Sequence, residues 1–391
     1  MNAHQNAQSK SGTHAKIMAG VPSHDMNLYN KLRFQAHDPA AWIQLDSGRT
    51  IVILRDIEIP RGKKIILADR IAAPAEFTPA QGLSGDRPIA TAQAVVECLK
   101  QEGVRSCTTD RFLPFYVAEM IQHAGITLMM DAGLGLRERR AKDAETIELI
   151  RTVQRETEVA IEMACVLIAR AKADAQGVLM HQGSALTAER VGEMIDAHLL
   201  KRGCITPGNI VAQAPHAFDC HNPGTGELRT GLPIIVDVFP RSRASLFHGD
   251  CTRCVVQGDV PSEVIRMHTA VAAAKGAGIA ALRAATTGDA VHAATMRVIE
   301  AHGYSRALAP IDAPAGFCSM QHGTGHAIGL DTKESPLLEV GAPELVAGDC
   351  VTVEPGLYHK TFGGIRLEDM LIVTDSGSMN LNTLHEGLTW T

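Results

Sequence analysis

Four carboxylates written into apolar or glycine-bearing segments constrain this chain more than any other feature. Asp237 lies inside PIIVDVF and Glu354 inside VTVEPG, two runs that read as buried strands. An unpaired carboxylate is costly in such a place. Asp250 follows thirteen residues after Asp237, in HGDCTRC, and the intervening PRSRAS can turn the chain so that the two strands pair. Glu368 closes GGIRLED, reached from Glu354 through a tight glycine-bearing connection. His322 and His326 sit in HGTGHAIGLDTKE, among glycines that let the backbone be approached closely. Taken singly, each residue reads as a surface charge, a cap or a structural histidine. Together, four carboxylates in one interior place drive their own protonation unless cations lie between them. Two divalent ions would balance that charge. Oxygen-rich ligation with one imidazole suits Mn²⁺, Co²⁺, Fe²⁺ or Zn²⁺.

The chain around these segments reads as two domains. Its 391 residues, 45% hydrophobic and 20% charged, are enough for two cores without disulfide staples. Nine scattered cysteines suit a reducing compartment, and a net charge of -6 offers no general attraction for nucleic acid or an acidic membrane. No apolar run approaches the roughly 20 residues of a bilayer span, so a soluble cytoplasmic protein is expected. Residues 1–25, small and polar at first, read as a flexible arm. Residues 26–135 read as an α/β domain, with strands at Thr50–Leu54, Lys64–Leu67 and Ile126–Met130 and a helix over Thr91–Gln101. Arg137–Asp174 is amphipathic and free of Gly and Pro, which predicts long helix and opens a second domain over 136–391. Further helices at Thr187–Arg202, Pro261–Ala285 and Asp289–His302 interleave with strands at Ile234–Val238, Thr252–Val256, Asp349–Val353 and Ile365–Val373. Short turns between strands imply α+β with antiparallel pairing.

The motifs D…D-x-T-R, H-G-x-G-H-x-x-G-L-D, E-P-G-L-Y and G-G-x-R-x-E-D, in this order over about 250 residues, resemble the pita-bread metallopeptidase family. That family includes methionine aminopeptidase, aminopeptidase P, prolidase and creatinase. The resemblance implies a pita-bread catalytic domain behind a smaller creatinase-like α/β domain, and a homodimer. It implies two divalent ions, manganese first, held by Asp237, Asp250, His326, Glu354 and Glu368. It makes Glu354 the group that takes a proton from water held between the metals. His221, sixteen residues before Asp237, looks like a substrate-contacting histidine, with His216 as its competitor. His322, in H-x-x-x-H with His326, points to the proline-directed branch and to a catalytic or substrate-binding part. Arg366, two residues before Glu368 and expected on the same strand face, would orient that carboxylate or the substrate.

Three departures bear on the substrate. Lys333-Glu334 replaces a histidine and acid, so a lysine would stabilise the developing oxyanion. Asp237-Val238-Phe239 replaces Asp-x-Gly, which narrows the pocket. Thr252-Arg253-Cys254 replaces T-R-T and makes a C-x-x-C with Cys251, best read as two packed thiols. The implied function is a dinuclear Xaa-Pro aminopeptidase or dipeptidase acting on short peptides. A metal-dependent hydrolase or lyase of a small non-peptide molecule is the alternative on the same fold, and a non-catalytic binding protein is the third.

Overall fold

A computed structural model of the chain describes residues 13–391. They divide into two compact units, between Arg139 and Arg140. In the first, β1 (Thr13–Gly20), β2 (Ala40–Leu45), β3 (Thr50–Ile53), β4 (Arg70–Ala72), β5 (Val104–Thr109) and β6 (Thr127–Met130) form one sheet in the order β4-β3-β2-β1-β5-β6. Strand β1 runs antiparallel to β2 and parallel to β5, which puts it in the middle of the sheet. This corrects the expected arm: of residues 1–25, Thr13–Gly20 are core strand, and residues 1–12 lie outside the described residues. The reason is alternation carried by small side chains. Ala15, Ile17 and Ala19 face the cluster under α2 (Arg87–Gln101) and α3 (Phe115–His123), while Met18 on the other face packs against α1 (Met26–Leu32). The expected strand at Lys64–Leu67 is absent: Ile66 is buried, but Leu67 is 94% exposed and the run forms no ladder.

The second unit opens with α4 (Ala144–Arg170), 27 residues long and capped by Asp143, whose carboxylate accepts from the Thr146 N–H at 2.8 Å. Ile150, Val153, Ile161, Cys165 and Ile168 lie on its buried stripe. Four of these join the cluster that covers β8 (Ile234–Val238) and β9 (Cys251–Val255); Ile150 is buried nearer the start of the helix. With β7 (Asn209–Gln213) these strands form a three-stranded antiparallel sheet, β8 in the centre. Three helices follow the same rule of one buried face: α5 (Ala188–Lys201), α6 (Ser262–Ala281) and α7 (Gly288–Ala301). Strands β10 (Cys318–Met320), β11 (Gly325–Ala327), β12 (Glu334–Leu338), β13 (Cys350–Val353), β14 (Gly356–His359), β15 (Gly363–Arg366) and β16 (Asp369–Val373) build two further sheets. The pairings β10·β14, β11·β12, β11·β13, β13·β16 and β14·β15 are all antiparallel. Among the described residues no helix is long and apolar enough to cross a membrane.

Register sets where the acids emerge. Asp237 pairs with Thr252 across β8 and β9, and Asp250 is the residue just before β9. Glu354 follows β13, its N–H donating to the Thr324 carbonyl at 2.7 Å. Glu368 lies between β15 and β16, its N–H donating to the Thr252 carbonyl at 3.1 Å. Arg366 and Glu368 therefore do not share a strand face as the sequence suggested; the strand ends at Arg366. Gly325 makes the approach of β11 possible, because a Cβ there would stand 2.0 Å from the Thr352 carbonyl oxygen. Gly325→Ala is expected to cost about 3 kcal/mol, the scale of overpacking in a rigid core. Urea unfolding measures it; a midpoint equal to that of the parent would contradict the contact.

Candidate metal centre and substrate cavity

Asp237, Asp250, His326, Glu354 and Glu368 all line one cavity of about 670 Å³, together with His221, His322, Lys333 and Arg366. His216 is not among its lining residues. The tightest part is formed by Asp250, His326 and Glu368, which offer ligand atoms within 4.8 Å of one another. His326 Nε2 lies 3.8 Å from Asp250 Oδ2 and 3.4 Å from Glu354 Oε1. The other ring nitrogen, Nδ1, lies 3.1 Å from the Ala327 carbonyl. A carbonyl can only accept, so Nδ1 carries a proton, and in the neutral ring Nε2 turns a lone pair toward two carboxylates. Lone pair facing carboxylate is repulsive until a cation stands between them.

The acids differ in how the surroundings treat them. Burial, reinforced by Asp237 and Glu354, pushes the Asp250 carboxyl well above its ordinary range. Burial and the neighbouring Asp250, Glu354 and Asp237 do the same to Glu368. Burial also raises Asp237, against the pull of Arg366. At Glu354 burial acts upward too, but it is outweighed by His326 and His322 to the extent that their rings are protonated and by the fixed charges of Arg366 and Lys333, so the carboxyl is held below its usual value. Among the described residues Asp237 Oδ1 is buried with no hydrogen-bond partner. An orphaned acceptor, two carboxyls that resist ionisation and an imidazole lone pair aimed at them form a donor set that fits hard or borderline divalent cations.

Arg366 reaches Glu368 only through Thr252. Its Nη2 donates to Asp237 Oδ2 at 2.6 Å, Nη1 to the Tyr358 hydroxyl at 2.9 Å and the Cys220 carbonyl at 3.1 Å, and Nε to Thr252 Oγ1 at 3.3 Å. Glu368 instead accepts from Thr252 Oγ1 at 2.7 Å. His322 is engaged on both sides: Nδ1 lies 2.8 Å from the Gly323 carbonyl and Nε2 2.7 Å from the Tyr358 hydroxyl. Burial lowers His322 to about 4, so the ring is neutral near pH 7. A chain His322–Tyr358–Arg366–Asp237 thus backs one side of the cavity. Tyr358 and Thr252 carry polar work that the sequence reading left unassigned, although both stand inside its quoted motifs. Gly356 admits the tyrosine, since a Cβ there would meet the Tyr358 hydroxyl at 2.4 Å.

His221 is exposed in the loop after Cys220, and Lys333 is exposed at the end of the β11–β12 connection, just before β12. Glu334, beside Lys333, accepts from Lys142 Nζ at 3.2 Å and from the Leu330 N–H at 2.8 Å, so it is already committed. Cys251 and Cys254 are buried, and burial raises Cys254 to about 11 and Cys251 further. They are inert packed thiols.

Residues 148–375, more than half of the chain, match metallopeptidase family M24. The chain belongs to that family. A relative named probable dipeptidase PepE, from Mycobacterium tuberculosis, is 25% identical over 329 residues, 83% of this chain and 80% of its own. Among solved structures, the Xaa-Pro dipeptidase from Bacillus anthracis superposes with TM-score 0.77 at 19% identity, covering 97% of this chain and 95% of that one. The X-Pro aminopeptidase from Thermotoga maritima gives 0.76 at 18% identity, with 97% of each chain covered. These likenesses establish the pita-bread fold of this metallopeptidase.

The raised carboxyls have a measurable consequence. Asp250 and Glu368 hold protons in the folded chain at pH values where the unfolded chain has released them. Their contribution to the stability of the metal-free protein is present below the unfolded value and is lost as pH rises through the folded one. Cations must displace those protons, so titrating the metal-free protein with Mn²⁺ should release protons, and more of them the lower the pH. Calorimetry in buffers of different ionisation enthalpy reads the number; a heat independent of buffer would contradict the burial argument.

Proposed function

We propose that this chain is an Xaa-Pro peptidase, an aminopeptidase or dipeptidase, whose two divalent ions are held by Asp237, Asp250, His326, Glu354 and Glu368. The observation that carries the reading is the His326 lone pair facing Asp250 and Glu354 beside two carboxyls that burial keeps from ionising. When bound, the ions supply Lewis acidity toward the scissile carbonyl and acidify water. Glu354 is the general base. It lines the cavity, stays ionised through its cationic neighbours, and can accept the proton of the attacking water. The oxygen of that water bonds to the carbonyl carbon, the carbon–nitrogen bond breaks, and the proton on Glu354 passes to the departing nitrogen. Lys333 donates to the carbonyl oxygen as negative charge develops on it. His221, with a free side chain at the cavity wall, donates to the substrate or the departing amine.

Arg366 and His322 act differently from the sequence expectation. Arg366 holds Asp237 in place and fixes one of its oxygens, leaving the other for a cation. His322, with both ring nitrogens engaged, orients Tyr358 and through it Arg366. Manganese as the native ion, a homodimeric assembly and a cytoplasmic location belong to the same reading and rest on the family resemblance.

The test is hydrolysis of a panel of Xaa-Pro dipeptides and Xaa-Pro-Yaa tripeptides by chelator-treated protein resupplied with Mn²⁺. Activity should vanish with the chelator and return with the metal. Glu354→Gln should lower kcat by a factor of about 1,000, as loss of a general base does, with the fold retained by circular dichroism. Metal-loaded protein inert across the whole panel would overturn the peptide assignment and favour a small non-peptide substrate, for which the lysine at 333 is the motivating departure.

A further inference from the structure

Behind the cavity, on the side away from substrate, lies a polar cluster that the mechanism does not use. Arg253 is fully buried, in a strand whose five residues are all buried. Its five hydrogen bonds go to two places. Nη1 donates to the Glu368 carbonyl at 2.6 Å and to the Thr252 carbonyl at 2.9 Å. Nε donates to the His385 carbonyl at 2.9 Å, and Nη2 to the Leu384 carbonyl at 3.2 Å and to Asp369 Oδ1 at 2.8 Å. One guanidinium therefore joins the backbone of a metal-ligand residue to the irregular segment Asn380–Glu386.

Gln154 repeats the arrangement at the other carboxylate. Its amide brackets Asp250, accepting from the Asp250 N–H at 2.9 Å and donating to the Asp250 carbonyl at 2.8 Å. The same Nε2 donates to Asn382 Oδ1 at 3.1 Å, and that oxygen also accepts from the Met370 N–H at 2.8 Å. The segment is itself pinned. Glu158 accepts from the Thr383 and Leu384 N–H groups at 2.7 and 2.9 Å, and Lys275 bridges Asp369 and Glu386 at 2.6 Å each. Asn380 Nδ2 donates to Asp369 Oδ2 at 2.8 Å.

We infer that Asn380–Glu386 is a strap that fixes the separation of Asp250 and Glu368, with Gln154 and Arg253 as the positioning residues that transmit it. The inference rests on the ligand assignment above. Its physical basis is that Asp250 and Glu368 lie beside the ends of different strands and their side chains repel each other, so backbone restraint must come from behind. Both restraints converge on seven consecutive residues. Groups that orient metal ligands from behind typically change metal affinity 10- to 100-fold when removed. Because the strap touches no part of the cavity lining, substrate affinity should be spared.

The experiment uses the full chain with Asn382→Ala, Arg253→Lys and Tyr304→Phe. Tyr304, after α7, donates its hydroxyl to Glu263 Oε1 at 3.0 Å, near the start of α6 and twelve residues from Lys275, so it serves as the control for stability alone. Mn²⁺ binding to the metal-free proteins is measured by calorimetry, alongside thermal unfolding and, at saturating metal, kcat and KM. Asn382→Ala and Arg253→Lys should weaken metal binding about tenfold or more and lower kcat at a KM within about twofold of the parent. Tyr304→Phe should lose thermal stability with metal affinity within about twofold. Should Arg253→Lys fail to fold, Asn382→Ala carries the test. Metal affinity unchanged in folded Asn382→Ala, or weakened equally in Tyr304→Phe, overturns the strap. Because binding is read directly, failure of the peptidase assignment would show as normal metal binding without hydrolysis, a separate outcome.

Discussion

The crowding of acidic side chains at one set of strand ends is the interaction on which the second unit is organised. Asp237, Asp250, Glu354 and Glu368 come from three different sheet regions, and only antiparallel register brings them to one cavity. Ionised and bare, such a group would be opposed by desolvation of several kcal/mol per ion, roughly speaking, on top of mutual repulsion. The fold meets this with fixed donors for part of the charge: Arg366 for Asp237, Thr252 for Glu368. What these leave uncompensated is Asp250, the second oxygen of Asp237 and the His326 lone pair. That remainder is what makes the cavity a candidate cation site rather than a buried salt-bridge cluster.

Arg366 shows how specific the arrangement is. Its guanidinium is buried, yet every direction it presents finds an acceptor: a carboxylate, a phenol, a threonine hydroxyl and a carbonyl in the loop that precedes His221. Charge-assisted bonds of this kind contribute about 1.5–3 kcal/mol each, enough together to offset the burial of the charge. One residue thereby links Asp237, a candidate metal ligand, to the loop that precedes His221 and, through Tyr358, to His322. A lysine, whose three donors sit on a single atom, lacks the fork that reaches acceptors on several sides.

The catalytic unit was legible because its chemistry is local in sequence. Asp237 in an apolar strand, the glycines around His326 and the E-P-G-L-Y run each announce a backbone or charge requirement that few folds share. The partners of Arg366 and His322 were not legible, since strand spacing says which residues share a face and not which acceptor a guanidinium reaches across sheets. Arg366 pairs with a residue 129 positions away. Strand β1 escaped notice for another reason: Ala15 and Ala19 fill the core with side chains too small to register as a hydrophobic alternation beside Lys16 and His14. Lys64–Leu67 erred the other way. Its two isoleucines suggested a strand, but neighbouring chain offers no partner and Leu67 faces outward.

The central claim is that cations, and not protons alone, reconcile the acids of this cavity. Anomalous diffraction at the manganese edge from crystals grown with Mn²⁺ tests it most directly. The account predicts two peaks per chain, both within ligand distance of the set Asp237, Asp250, His326, Glu354 and Glu368. No anomalous density in the cavity, or density only at unrelated surface acids, would contradict it.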